Sequence, residues 1–190
     1  MRPADWFIRG VSYVNERVGR IAALLILPIF ALLLLEVGLR YVAGSPTVWT
    51  NELSQLLFGS YALLAGGYLI LHSGHANVDI LHSALSPRVR AAVDIATSVL
   101  TFIFLLAFLY FGVSMGWESL SRMETSMSAW NPPIWPVKLL IPISALLLLL
   151  QAIAKLIDDI RIVMGRPPTL PHNATALEDR PVTRIEEREI

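Results

Sequence analysis

Residues 49–79 read WTNELSQLLFGSYALLAGGYLILHSGHANVD. Trp49 and the carboxylate of Glu52 stand at the start of this stretch, and a polar Gly74-His75 turn leads to Asp79 at its end. Between them lies a single apolar run of about the 20 residues that a helix needs to cross a bilayer core. Thr50 or Asn51 is placed to cap the helix, and Glu52 falls in the first turn, where the helix dipole favours negative charge. Inside the run, Gly59, Ala62, Gly66 and Gly67 set small residues on roughly one side, the pattern that lets helix backbones approach closely in lipid. Nothing inside it resembles a reaction centre.

The whole chain agrees with this stretch. Of 190 residues, 55% are hydrophobic and only 16% charged, and the mean hydropathy is +0.59, which points to the membrane class rather than a soluble domain. The clustering of the apolar residues into long runs predicts an all-α membrane protein. Fifteen Lys and Arg balance fifteen Asp and Glu, so bulk charge points to no nucleic-acid or acidic partner. The absence of cysteine excludes disulfides, thiolate metal sites and cysteine nucleophiles.

Outward from the central stretch, four spans are expected, at about 21–42, 52–71, 91–116 and 134–157, within a membrane domain covering 21–157. Residues 1–20 place Trp6, Phe7, Val11, Val14 and Val18 at intervals of three and four, which predicts an amphipathic helix lying on the membrane surface. A signal peptide is the competing reading, but the apolar run is too long and no small-x-small cleavage site follows it. Pro28 is expected to kink the first span. Glu36 and Arg40 lie four apart with the carboxylate first, the favourable order for an ion pair on one helix face. A coupling-ion site and a buried contact to another subunit are the alternatives for Glu36.

The stretch 72–90 is polar, and Val78, Ile80, Leu81 and Leu85 are expected to form a second, short interfacial helix ended by Pro87. His72, His75 and His82 read as turn residues in water or headgroups, since a metal site would need further ligands and Asp79 is the only carboxylate nearby. Gly112 and Gly116 form a GxxxG near the end of the third span. Pro136 and Pro142 lie in the fourth. Residues 158–190 are expected to form a charged, proline-rich cytoplasmic tail, largely disordered after Arg166.

Arg2, Arg9, Arg17 and Arg20 precede the first span, Arg88 and Arg90 lie between the second and third, and Lys155, Arg161 and Arg166 end or follow the fourth. The positive-inside rule therefore makes both termini and the middle loop cytoplasmic. Tyr41, Trp49, Trp117, Trp130 and Trp135 all fall on the opposite side, as an aromatic belt at one interface requires.

With these residues in view, the chain resembles the small membrane subunit, the Q or DctQ type, of tripartite ATP-independent periplasmic (TRAP) transporters. The resemblance rests on Arg40-Tyr41 ending the first span, Trp49 and Glu52 opening the second, Gly74-His75 followed by Val78-Asp79, then Trp117, Trp130, a proline-rich entry to the fourth span, and Pro142 with Gln151. The chain departs from the family pattern at Gln55 and at Leu71, His72 and Ser73, where members often carry arginine. The resemblance implies a bacterial inner-membrane protein without catalytic activity or cofactor. It would brace a large multi-span subunit that performs sodium-driven uptake of an organic anion delivered by a periplasmic solute-binding protein. Glu36, Arg40, Trp49, Glu52, Gly66, Gly74, His75, Asp79, Gly112 and Gly116 are the candidate family-motif or subunit-packing positions, with membrane lipids as further partners. A small homo-oligomeric channel or sensor is an alternative. A four-helix haem redox protein is another, although all four histidines fall outside the expected spans.

Overall fold

The computed structural model describes residues 3–72, 87–165 and 169–170, and among these the chain is helical, with no strand and one isolated bridge between Thr125 and Pro133. Five helices follow in order among the described residues: α1 (Pro3–Ala23), α2 (Ile26–Tyr41), α3 (Thr50–Leu71), α4 (Pro87–Ser121) and α5 (Trp135–Val163). Among the described residues four stretches are long and apolar enough to cross a membrane: Ala4–Tyr41, which joins α1 and α2, then Thr50–Leu71, Ala91–Ser121 and Trp135–Val163. Gly74, His75 and Asp79, together with the short helix expected around Val78 to Leu85, lie outside the described residues, as does the tail apart from Thr169 and Leu170.

The helix boundaries differ from those expected, for local reasons. The first break comes at Leu24 and Leu25, one turn before Pro28. Pro28 has no N–H for the Leu24 carbonyl, which instead accepts from Leu27 N at 3.3 Å, and the turn tightens to three-residue spacing. Gly44, at φ +61°, ends the run after α2, and Ser45 N reaches back to Leu39 O at 3.0 Å. α4 and α5 both run past the expected ends because hydropathy stops at the first charges whereas the helical ladder does not. Ion pairs four residues apart, Glu118 with Arg122 at 2.9 Å and Lys155 with Asp159 at 3.0 Å, accompany those extensions.

Side-chain contacts set the directions. Glu36 meets Thr50, so α2 and α3 are antiparallel. Asp94 meets Lys155 while Gly116 meets Leu139, so α4 and α5 are antiparallel. α3 and α5 run parallel, with Gly59 against Val137 and Gly66 against Leu148. α4 and α5 form the most extensive pair. At their contact, a Cβ on Gly112 would stand 3.0 Å from Ile141 Cγ2, and one on Gly116 would stand 3.5 Å from both Lys138 O and Pro142 Cγ. Pro142 removes the N–H that would have served the Lys138 carbonyl. The two glycines thus seat α4 directly on the proline segment of α5, a close approach of the kind that dispersion favours when no hydrophobic force acts between helices.

Candidate functional site

The charged side chains of the described spans gather toward the two ends of the bundle, whereas hydroxyls further in, such as Ser60, Thr101 and Ser144, donate to carbonyls of their own helices. At the first end, the α2–α3 connection closes around Glu36. Its carboxylate accepts from Arg40 at 2.6 Å, from Thr47 Oγ1 at 2.6 Å, from Thr50 Oγ1 at 2.6 Å and from Thr47 N at 3.3 Å. With Arg40 Nε donating as well, at 3.1 Å, five donor atoms leave little of the carboxylate bare, and Glu36 is buried. This corrects the expected cap: Trp49 is the N-cap of α3 and makes no side-chain cap bond. Thr50 stands one residue inside the helix, past the cap position, and its hydroxyl donates to the charged Glu36 carboxylate.

The α4–α5 connection lies beside it and is tightly built. Lys138 Nζ donates to both oxygens of Glu124, at 2.7 and 2.6 Å, and its ammonium holds the Glu124 carboxyl below the ordinary carboxylate range. The Glu124 carbonyl accepts from Ile134 N at 3.0 Å, and Ser126 N donates to Pro132 O at 3.0 Å. Met123, Met127 and Asn131 all adopt positive φ, and Asn131 Oδ1 accepts from Met127 N at 3.0 Å. The two connections touch: Ser128 Oγ donates to Glu52 Oε2 at 2.6 Å, and the Trp49 and Trp130 rings lie 6.5 Å apart. Glu52 therefore ties α3 to this connection while remaining in the first turn of its helix.

At the other end, α1 is fastened to α3 and α5 through a face that apolar periodicity picks out only in part: of the expected apolar residues, Phe7 and Val11 pack against the buried cluster. Ile8, Asn15, Gly19 and Ala22 are buried, with Val11 half-buried between them, whereas Trp6 and Val14 stay exposed. Asn15 Nδ2 donates to Gln151 Oε1 at 3.0 Å and to Val11 O at 3.2 Å. Asn15 Oδ1 and Gln151 Nε2 are buried without partners. Gly67 makes room for this pair: a Cβ there would fall 1.9 Å from Asn15 Oδ1. Gly19 likewise lies against Tyr68, where a Cβ would stand 2.5 Å from Tyr68 Cβ.

Beyond this contact, Lys155 Nζ bridges Asp94 at 2.6 Å and Asp159 at 3.0 Å, joining α4 to α5. Arg161 pairs with Asp5 and donates to Thr169 Oγ1 at 2.9 Å, joining α1, α5 and the segment after α5. The buried Asp158 carboxylate accepts from Thr169 N at 2.7 Å and Leu170 N at 3.3 Å. Leu170 then inserts among Ile8, Leu71 and Ala154. His72 contacts Glu16 at 3.4 Å and stacks on Tyr68 at 4.1 Å.

Among the described residues no group of three or more His, Asp or Glu side chains is placed to hold a metal ion; His75 and His82 lie outside those residues. Of the candidate positions, the structure brings Glu36 and Arg40 together at one end, with Trp49 and Glu52 beside them. Gly112 and Gly116 pack on α5 within the chain, as does Gly66, whose Cβ would stand 3.1 Å from Leu148 Cδ2. Arrangements of this kind join helices; they do not pair a nucleophile with a base.

The sequence profile of the family described as tripartite ATP-independent periplasmic transporters, DctQ component, matches residues 29–162. The chain belongs to the DctQ family. Two curated proteins are similar to this DctQ chain. Over 103 residues it is 25% identical to the sialic acid TRAP transporter permease protein SiaT of Haemophilus influenzae, covering 54% of this chain and 17% of that one. Over 106 residues it is 22% identical to the sialic acid TRAP transporter small permease protein SiaQ of Vibrio cholerae, covering 54% of this chain and 61% of that one. In each case the match spans less than two thirds of the relative. The profile takes in α2 from its first turn through nearly all of α5, together with both clasped connections, but not α1, so the Asn15 contact lies outside the matched region on one side.

Proposed function

We propose that this DctQ chain is the non-catalytic small membrane subunit of a sodium-driven TRAP transporter, bracing and anchoring a large multi-span subunit in the bacterial inner membrane. The large subunit would carry the coupling ions and an organic anion, and a periplasmic solute-binding protein would deliver the anion. The observation that carries the reading is where the polar groups of the described spans go. Glu36, Glu124, Lys138, Lys155 and the Asn15–Gln151 pair each engage another part of the same chain near the bundle ends. A transport site built by the chain itself would instead use broken helices and polar groups converging at mid-depth. DctQ membership supports the subunit role. The SiaT match supports a permease partner, since a segment similar to this one occupies a minor part of that longer chain.

Both termini are taken as cytoplasmic. Supporting this, Trp49 and Trp130 meet at the end away from Lys155 and Arg161, so the aromatic and basic ends stay apart in the folded chain, as the positive-inside rule requires. The chain carries no cysteine, which makes single-cysteine labelling clean. Met127→Cys should react with a membrane-impermeant maleimide on intact cells, and Ala174→Cys only after lysis; the reverse pattern would invert the topology. Extraction of native membranes in mild detergent should recover the chain with a larger membrane protein, and uptake should require both. Uptake by this chain alone, or recovery only as a homo-oligomer, would refute the assignment.

A further inference from the structure

We propose that the outward face of α1 binds the phosphodiester headgroups of anionic phospholipids, with Arg9 and Arg17 as the cationic contacts and Trp6 and Tyr13 as the interfacial anchors. The proposal stands on the fold of α1 and does not depend on the transporter reading.

The first observation is a charge count by partner. Among the basic residues whose side chains are described, Arg20, Arg40, Arg122, Lys138, Lys155 and Arg161 each have a carboxylate within ion-pair distance. Among the described residues Arg9 and Arg17 have none, and both are exposed. They stand on one side of one helix. At 100° per residue, Trp6, Arg9, Tyr13 and Arg17 fall within a narrow arc, opposite the buried Ile8, Asn15 and Ala22. The Arg17 guanidinium lies 5.1 Å from the Tyr13 ring centroid, which holds it along the helix surface rather than free in solvent.

The second observation is position. The Ala4–Tyr41 stretch has 38 residues, about 57 Å of helix at 1.5 Å per residue against a hydrocarbon core of about 30 Å, so part of it lies beyond the core. That part is α1, since α2 carries charge only at its far end, in Glu36 and Arg40. α1 is pinned by its other face to the ends of α3 and α5, through Ile8 against Leu71 and Asp5 against Arg161. Its free face is therefore presented at the edge of the bundle where lipid headgroups lie. Trp6, 77% exposed, and Tyr13, 59% exposed, are the amphipathic rings that settle at that depth. An unpaired guanidinium there finds its complement in a phosphodiester oxygen pair, which it binds bidentately.

The test uses the purified full chain with phosphatidylglycerol and phosphatidylcholine vesicle lipids in competition, the retained lipids being counted by native mass spectrometry. Wild-type chain should retain phosphatidylglycerol preferentially. Each near-surface arginine is worth about a fivefold change in association with an anionic surface, so Arg9→Gln/Arg17→Gln should lower the preference by up to roughly 30-fold and each single variant by about fivefold. Tyr13→Leu, which removes the ring beside Arg17, should lower it as well, and Arg122→Gln, at the opposite end, should not. The proposal is overturned if wild-type shows no preference, if the double variant keeps it, or if inorganic phosphate displaces the lipid at equal charge. It is equally overturned if the double variant keeps its lipids but loses a co-purifying membrane protein, which would make this face a protein contact.

Discussion

Substituting Gly67 by alanine should loosen α1 from the bundle, and the structure says by how much and why. The added Cβ would fall 1.9 Å from Asn15 Oδ1 and 2.8 Å from Asn15 Cγ, far inside van der Waals contact, so Asn15 must leave its place. Leaving breaks the 3.0 Å bond to Gln151 Oε1. Interhelical side-chain hydrogen bonds in membranes average about 0.6 kcal/mol and reach about 1.7, whereas overpacking a tight contact costs about 1–3 kcal/mol. The steric part dominates, and Gly67→Ala should destabilise by about 2–4 kcal/mol. Asn15→Ala removes the offending atoms and keeps only a Cβ, which lies 3.6 Å from the new methyl, an ordinary contact. Asn15→Ala alone should therefore cost about 0.5–2 kcal/mol, and Gly67→Ala added to it less than about 1 kcal/mol. Reversible unfolding of the four species in mixed micelles, titrated with a denaturing detergent, measures the cycle. Equal effects of Gly67→Ala in both backgrounds, within about 0.5 kcal/mol, would refute the packing account.

Replacing Asn15 by leucine together with Gln151 by methionine should cost less than either change alone, because an orphaned buried amide is worse than none; thermal unfolding in detergent would show it. Gly112→Leu should lower stability by about 1–3 kcal/mol through collision with Ile141 and Pro142, and cysteine crosslinks between α4 and α5 should form more slowly in that variant. The folded state holds the Glu124 carboxyl below its ordinary range, so its contribution is complete above the unfolded pKa and is lost as pH falls through the folded one. Stability of the wild type should accordingly drop more steeply in acid than that of Glu124→Gln, and parallel pH curves would contradict the Lys138 pairing. Ser128→Ala should free the connection bearing Trp130 from Glu52, seen as a red shift and faster quenching of tryptophan emission.

Much of the architecture was legible in the sequence because lipid imposes a coarse rule: long apolar runs become helices, and Thr50–Leu71 can be read almost end to end. Glu36 with Arg40 was also legible, since a four-residue spacing needs no knowledge of the fold. What escaped were contacts whose partners are far apart in the chain. Asn15 and Gln151 are 136 residues apart, and neither adds to an apolar count, so the buried face of α1 was hidden behind the more conspicuous Trp6 and Val14. Thr47 and Thr50 look like cap and loop residues until Glu36 is placed between them. Asp158 and Leu170 looked like the start of a loose tail, because hydropathy cannot see a backbone N–H accepted by a buried carboxylate.

The clasp around Glu36 has a bearing on biogenesis. All four of its side chains lie between residues 36 and 50, so it can close on a nascent chain as soon as α2 and the start of α3 have left the ribosome, delivering Glu36 and Arg40 to the insertion machinery as a neutralised pair. The grip on α1 assembles in two stages: Gly67 and Tyr68 of α3 are synthesised soon after it, whereas the bond from Asn15 waits for Gln151, 136 residues further on.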